Sequence, residues 1–380
     1  MSQSEEYGWK LSNLISNSNF KFDREEIINI CGKENLVDAL KVISNWENYI
    51  PTPLISLDEL SNQLKLNNIF YKDESKRFNL KSFKALGGAY AVEKVTKGNK
   101  NITVSTATAG NHGRSVAWGA KKLGLECKIF ISEFVSEIRS QEMKKLGADV
   151  IRVKGNYEKS LEECIKQSKT NKWEIVQDVA WKNYEYVPKL TISGYSVMID
   201  EISRQTDQYI THIFLQAGVG GMASGAIAGV AKYFKRIPKI IIVEPENADC
   251  VLKSIEKGSL QKVNIQKESI MGGMSCGEVS LVPWQILKNS VNFCTSVADK
   301  YVAKTVAMLK NKHFCNKNII GGECATPGLI SLIASCESTN IKEKLELNKS
   351  SNVLLIGCEG DADKNLYSEL LNKGNKELGN

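Results

Sequence analysis

The sequence has no uninterrupted apolar run of the length that a membrane-spanning helix needs. It begins Met1-Ser-Gln-Ser-Glu-Glu-Tyr7, polar and acidic where a secretory leader would be basic and then apolar. Only three histidines are present, none paired at helical spacing, and the ten cysteines include no Cys-x-x-Cys pair. No metal site is therefore expected, and scattered cysteines in a chain of this size suit reduced thiols in the cytoplasm. Dense blocks of Lys and Arg are missing too, although the formal charge is +7. A diffuse surplus suits an anionic substrate or a phosphorylated cofactor and argues against nucleic acid as a partner. Low-complexity linkers and internal repeats are also absent. The 380 residues are expected to form one large α/β domain or two lobes with separate cores.

What is present is an alternation of short β-branched runs and helical patterns. Candidate strands are Ile102–Thr106, Lys128–Ser132, Asp149–Val153, Glu174–Val176, His212–Leu215, Ile240–Val243 and Val353–Ile356. Near-continuous apolar strands separated by helices predict parallel sheets covered on both faces. Lys121-Lys-Leu-Gly124 and Lys144-Lys-Leu-Gly147 each read as a helix end before a strand, with Lys complementing the helix dipole and Gly supplying a left-handed exit. The polar stretch from Ser338 to Asn352 reads as a surface loop or a short helix.

Three segments could carry chemistry. In Phe78-Asn-Leu-Lys-Ser-Phe-Lys-Ala-Leu-Gly-Gly-Ala-Tyr90, Lys84 is flanked by Phe83, Ala85 and Leu86. An apolar pocket would lower its pKa, as Schiff-base chemistry requires. The plain alternative is a surface lysine whose stem lies over apolar neighbours. Ser105-Thr-Ala-Thr-Ala-Gly-Asn-His-Gly-Arg114 follows a strand and opens a helix, and its small residues admit a ligand or make an ordinary turn. Asn111 there suits a helix cap or a ligand oxygen, and a lone His112 is more often a packed residue than a catalytic one. In His212-Ile-Phe-Leu-Gln-Ala-Gly-Val-Gly-Gly-Met-Ala-Ser-Gly225, a strand enters a glycine turn and then a helix, an arrangement suited to phosphate. The same glycines match a dinucleotide fingerprint, with Glu244 ending the next strand. A nicotinamide reading leaves Lys84 and the Asn111 turn without roles, and so ranks low.

Together and in this order, the three segments resemble the fold-type II pyridoxal phosphate (PLP) enzymes, the family of tryptophan synthase β-subunits and threonine dehydratases. Ser82-Phe-Lys84 and Thr108-Ala-Gly-Asn-His112 are similar to serine and threonine dehydratase motifs. The diaminopropionate ammonia-lyase branch is closer still. Its likeness runs through Phe83–Ala91, Gly110–Arg114, Val116-Ala-Trp118, Gln177-Asp-Val-Ala-Trp181 and Gln216–Gly220. It continues in Val243-Glu-Pro245, Ala248-Asp-Cys250, Ser275-Cys-Gly-Glu278, Gly322-Glu323 and Glu359-Gly-Asp361.

The resemblance implies a fold of two open, twisted, mostly parallel sheets flanked by helices. A small α/β domain (87–185) would be inserted into a larger PLP-binding one (1–86 and 186–380), and the enzyme would be a homodimer. It implies that Lys84 holds PLP and moves protons, with Phe83 beside it. Asn111 would contact the ring hydroxyl oxygen, and Gly218, Val219, Gly220, Gly221 and Met222 would cradle the phosphate. The backbone around Ser105, Thr106, Ala107, Thr108, Ala109 and Gly110 would receive the substrate carboxylate. Asp178 would recognise a substrate ammonium or move protons.

Two departures stand out. The lyase branch carries Asp where this chain has Ala109, and that Asp is expected to take the α-proton of the D-isomer. Its Ser-Thr-Glu-Gly-Asp is here Gly357-Cys-Glu-Gly-Asp361, which leaves Cys358 as the candidate partner of the pyridine nitrogen. The implied reaction is α,β-elimination from a small amino acid, L-2,3-diaminopropionate first. L-serine or L-threonine deamination, β-replacement and a weakly catalytic PLP-binding role remain as alternatives.

Overall fold

The computed structural model describes residues 7–108 and 110–379, so the Ala109 position lies outside the described residues. A seven-stranded sheet is formed by β1 (Asn13–Ser16), β2 (Leu54–Ser56), β3 (Asn68–Asp73), β8 (His212–Gln216), β9 (Lys239–Pro245), β10 (Phe293–Val297) and β11 (Asn352–Gly357). Its order is β1-β10-β9-β8-β11-β3-β2. The inner strands run parallel, and the edge strands β1 and β2 pair antiparallel. Every residue of β8 and β11 is buried, as strands covered on both faces require.

A second sheet is built between β3 and β8 in the chain. It contains β4 (Val104–Ala107), β5 (Cys127–Ser132), β6 (Asp149–Val153) and β7 (Glu174–Ile175) in the order β6-β5-β4-β7, all parallel. The expected α/β fold of two open, mostly parallel sheets is the one that forms. Gly124 and Gly147 take φ of +68° and +90° at the two Lys-Lys-Leu-Gly ends. The Ser338 stretch holds a short helix, Thr339–Lys344, capped by the Ser338 side chain. Among the described residues no helix is long and apolar enough to cross a membrane, and the ten cysteines are free.

Two features hold the start of helix Lys84–Thr96 in place. A Cβ on Gly87 would lie 2.4 Å from Tyr195 Cε1, and one on Gly194 would lie 2.5 Å from Leu86 O. This helix and helix Tyr186–Tyr195 therefore meet backbone to backbone, which sets the Tyr195 ring beside Lys84. Just upstream is a buried lattice of charge. Arg77 donates to Glu74 Oε1 and Oε2 at 2.7 and 2.8 Å and to Glu201 Oε1 and Oε2 at 2.7 and 2.8 Å. Lys72 Nζ adds Glu201 Oε2 at 2.6 Å, Thr52 O at 2.8 Å and Gln205 Oε1 at 2.9 Å.

Candidate active site

Lys84 opens its helix, and the chain leading to it is stitched to the exit of β11. Phe83 N donates to Cys358 O (3.0 Å), Gly360 N donates to Lys81 O (2.9 Å), and Ser82 bridges Glu359. Lys84 Nζ lies 2.5 Å from Asp178 Oδ2 and 5.4 and 5.8 Å from the ring centres of Phe83 and Tyr195. Its side chain is 25% exposed. Its electrostatics differ from the sequence expectation. Burial does work to lower the ammonium's pKa, but the Asp178 carboxylate outweighs it and carries Lys84 well above its ordinary value. The physical reason is that the apolar neighbours in sequence share the site with a carboxylate from beyond β7. Burial likewise works upward on Asp178, and His112 and Lys84 together hold it well below the usual carboxylate range.

The glycine turn links β8 to helix Gly221–Tyr233. Gly220 has φ +94°, where a Cβ would in addition lie 2.8 Å from Leu287 Cδ1. A Cβ on Gly218 would come within 3.0 Å of Cys276 Sγ and Gly273 O. Gly221 faces open space, with Tyr195 Cε2 the nearest atom to its Cβ position at 3.9 Å. Tyr195 thus has the Lys84 ammonium over its ring and the glycine turn near its Cε2 edge. Glu244 is not available to a ribose. It is wholly buried and accepts Val251 N and Leu252 N at 2.8 and 2.7 Å, which removes the support for a nicotinamide reading.

Ser105 and Thr106 are fully buried strand residues. Ser105 Oγ lies 2.7 Å from Ser168 Oγ, and Thr106 Oγ1 donates to Gln177 Oε1 at 2.7 Å. Ala107 gives its N–H to Gln177 Oε1 (3.2 Å) and its carbonyl to Gln177 Nε2 (2.8 Å). Gln177 thus clamps the strand end at Thr106 and Ala107. Further along, Gly110 N donates to Thr108 Oγ1 at 3.3 Å and helix Asn111–Leu123 begins.

Asn111 Nδ2 donates to Glu359 Oε2 at 2.7 Å, and Cys324 N donates to Glu359 Oε1 at 3.1 Å. The Cys358 thiol donates to Cys324 O at 3.2 Å. Glu323, Cys324 and Glu359 bring ligand-type atoms within 4.8 Å of one another. Burial raises the Cys324 thiol, and burial with Glu359 alongside pushes Glu323 up to about 8. Gln177, Tyr195 and Glu359 are not among the site residues expected from the sequence. Gln177 and Glu359 stand next to motif residues, whereas Tyr195 has no local signal and reaches the site only through the glycine contact of two helices.

The sequence pattern of the pyridoxal-phosphate-dependent enzymes matches residues 46–358. Diaminopropionate ammonia-lyase of Escherichia coli (strain K12) is 36% identical over 351 residues, which span 86% of this chain and 88% of that protein. The chain belongs to the PLP-dependent ammonia-lyase family. The Salmonella typhimurium (strain LT2) diaminopropionate ammonia-lyase is 32% identical over 361 residues, 86% of this chain and 89% of its own. The crystal structure of selenomethionine-containing holo diaminopropionate ammonia-lyase from Escherichia coli superposes with a TM-score of 0.88. It is 33% identical and covers 96% of this chain and 98% of its own.

PLP is the cofactor of this PLP-dependent ammonia-lyase-family protein, and the residues present fit it. A glycine-rich turn at a helix N-terminus suits a phosphate. An amine lies beside the same aromatic ring as that turn, and at Gly221 a Cβ would meet only that ring, 3.9 Å away.

Proposed function

We propose that this chain eliminates the β-amino group of L-2,3-diaminopropionate, giving pyruvate and two molecules of ammonia with one water consumed. The observation that carries the proposal is the 2.5 Å contact between Lys84 Nζ and Asp178 Oδ2, set beside a glycine turn built for phosphate. PLP, when bound, supplies an electron sink that makes loss of the substrate α-proton feasible.

The protein's own groups do the rest. Lys84 holds the cofactor and carries protons at Nζ, with Phe83 and Tyr195 shielding its stem. Gly218, Val219, Gly220, Gly221 and Met222 hold the phosphate, and Asn111 meets the ring hydroxyl oxygen. Thr108, Gly110 and the start of helix Asn111–Leu123 receive the substrate carboxylate, since an N-terminus favours an anion. Asp178, kept ionised by its neighbours, binds the side-chain ammonium or takes a proton. Cys358, whose thiol donates to Cys324 O, would be the partner of the pyridine nitrogen. The site lies between a small domain (87–185) and a large one (1–86 and 186–380), in a cytoplasmic homodimer whose mass sedimentation would check.

Ala109 removes the side chain that would serve the D-isomer, so D-diaminopropionate is turned over weakly or not at all. Equal rates on both isomers would refute this. The same alanine favours a second reading, deamination of L-serine or L-threonine. L-threonine dehydratase of Haemophilus influenzae, 32% identical over 212 residues (54% of this chain, 38% of that protein), is also a relative. Keto-acid release by the PLP-loaded protein, on a panel of L- and D-diaminopropionate, L-serine and L-threonine, separates the two. Lys84→Ala is the control.

A further inference from the structure

His112 is 4% exposed, and its two nitrogens face different groups. Nε2 is 2.8 Å from Val176 O. A carbonyl oxygen only accepts, so Nε2 carries a proton whether the ring is neutral or charged. Nδ1 is buried without a hydrogen-bond partner and lies 3.6 Å from Asp178 Oδ2, the oxygen that Lys84 holds at 2.5 Å. One carboxylate oxygen therefore faces two basic nitrogens from two helices, and Lys84 occupies it. Burial, and after it the Lys84 charge, hold His112 below its ordinary pKa against the pull of Asp178. Tyr157, Tyr195 and Cys276, which also face Lys84 or Asp178, are pushed up by burial and stay neutral.

This balance cannot persist once Lys84 acts as a free amine. An ammonium has no lone pair, so Lys84 must shed a proton before its nitrogen can bond to a carbonyl carbon. We propose that His112 is the alternative proton and charge partner of Asp178: the proton shed by Lys84 comes to rest on His112 Nδ1, and the imidazolium then holds Asp178 ionised. One N–H bond breaks at Lys84 and one forms at His112. A single positive charge crosses the site, and Asp178 begins and ends as a carboxylate. His112 is thus a positioning residue that acts through Asp178, and its role rests on the assignment of Lys84 as the cofactor lysine.

The test is an NMR titration of the imidazole signals in the full chain without added cofactor, with His112→Gln identifying the His112 resonance among the three histidines. Lys84→Met should raise the His112 pKa by about one unit and Asp178→Asn should lower it. If His112 titrates alike in wild type and both variants, the proposal is overturned. His112→Gln keeps a donor for Val176 O. It should slow PLP capture, followed by absorbance, by about tenfold at neutral pH and recover as hydroxide replaces the missing acceptor. A deficit of equal size at every pH would mark a purely structural role and also overturn the proposal. Titration shifts without keto-acid release would refute the elimination reading and leave this one standing.

Discussion

Arg77 and Lys84 sit on the same short stretch of chain, and each meets a carboxylate from far along the sequence. Around Arg77 the charged side chains are 0–1% exposed, and the Lys72 ammonium has an acceptor for each of its three protons. Around Lys84 the ion pair is 25% and 14% exposed, and the facing His112 nitrogen has no hydrogen-bond partner. Full satisfaction locks charge in place, because moving any proton would strand a buried group. Partial satisfaction leaves a buried nitrogen open to accept a proton. One cluster is built to hold the chain still and the other to change charge.

Substitutions should separate these two behaviours. Lys84→Ala should lower keto-acid release by at least about 10³-fold and abolish borohydride fixation of PLP to the chain. The thermal midpoint of the unloaded protein should barely move, since Lys84 is partly exposed. Asp178→Asn should lower kcat by about 10²-fold, again with little change in melting. The order reverses in the lattice. Glu201→Gln leaves Arg77 and Lys72 buried with a lost partner and should cost about 3–5 kcal/mol in chemical denaturation, while kcat per folded molecule stays within a few-fold.

The pH dependence of that cost has a definite sign. Burial works upward on the Glu201 carboxyl, and Arg77 and Lys72 outweigh it and hold its pKa below 4.5. Its contribution is therefore complete above 4.5 and is lost as pH falls toward the lowered value. Denaturation curves of Glu201→Gln should lack this part of the acid limb. Arg139–Asp363, a 3.2 Å pair with Arg139 38% exposed, marks the weak end of the scale. Arg139→Ala should cost less than about 1 kcal/mol.

The same contrast explains what could be read in the sequence. Strands β5, β8, β9 and β11 announce themselves as apolar runs, and β6, Asp149–Val153, agrees to the residue through its β-branched side chains. β3 does not, because it carries Lys72 and Asp73 into the interior, and burial of charge runs against the pattern that marks a strand. β10, Phe293-Cys-Thr-Ser-Val297, is buried through small polar side chains, and β1 and β2 are short edge strands. Lys84, Asp178 and the glycine turn were legible through motifs. The protonated state of Lys84, the clamp by Gln177 on Ala107 and the approach of Tyr195 were not, since each depends on a partner from another element.

The stitching of Lys81 and Phe83 to the chain after β11 also bears on how the protein acquires its activity in time. The Lys81–Asp361 and Asn111–Glu359 contacts span 280 and 248 residues of sequence, and β11 is the strand that joins β8 to β3 in the middle of the sheet. Until it inserts, β1-β10-β9-β8 and β3-β2 are two unjoined fragments, each with an open edge. Closing loops of such length is slow compared with local helix formation. The chain must therefore be extended past β11 to Asp361 before the lysine's surroundings exist, and capture of PLP would serve as a clock for completed folding.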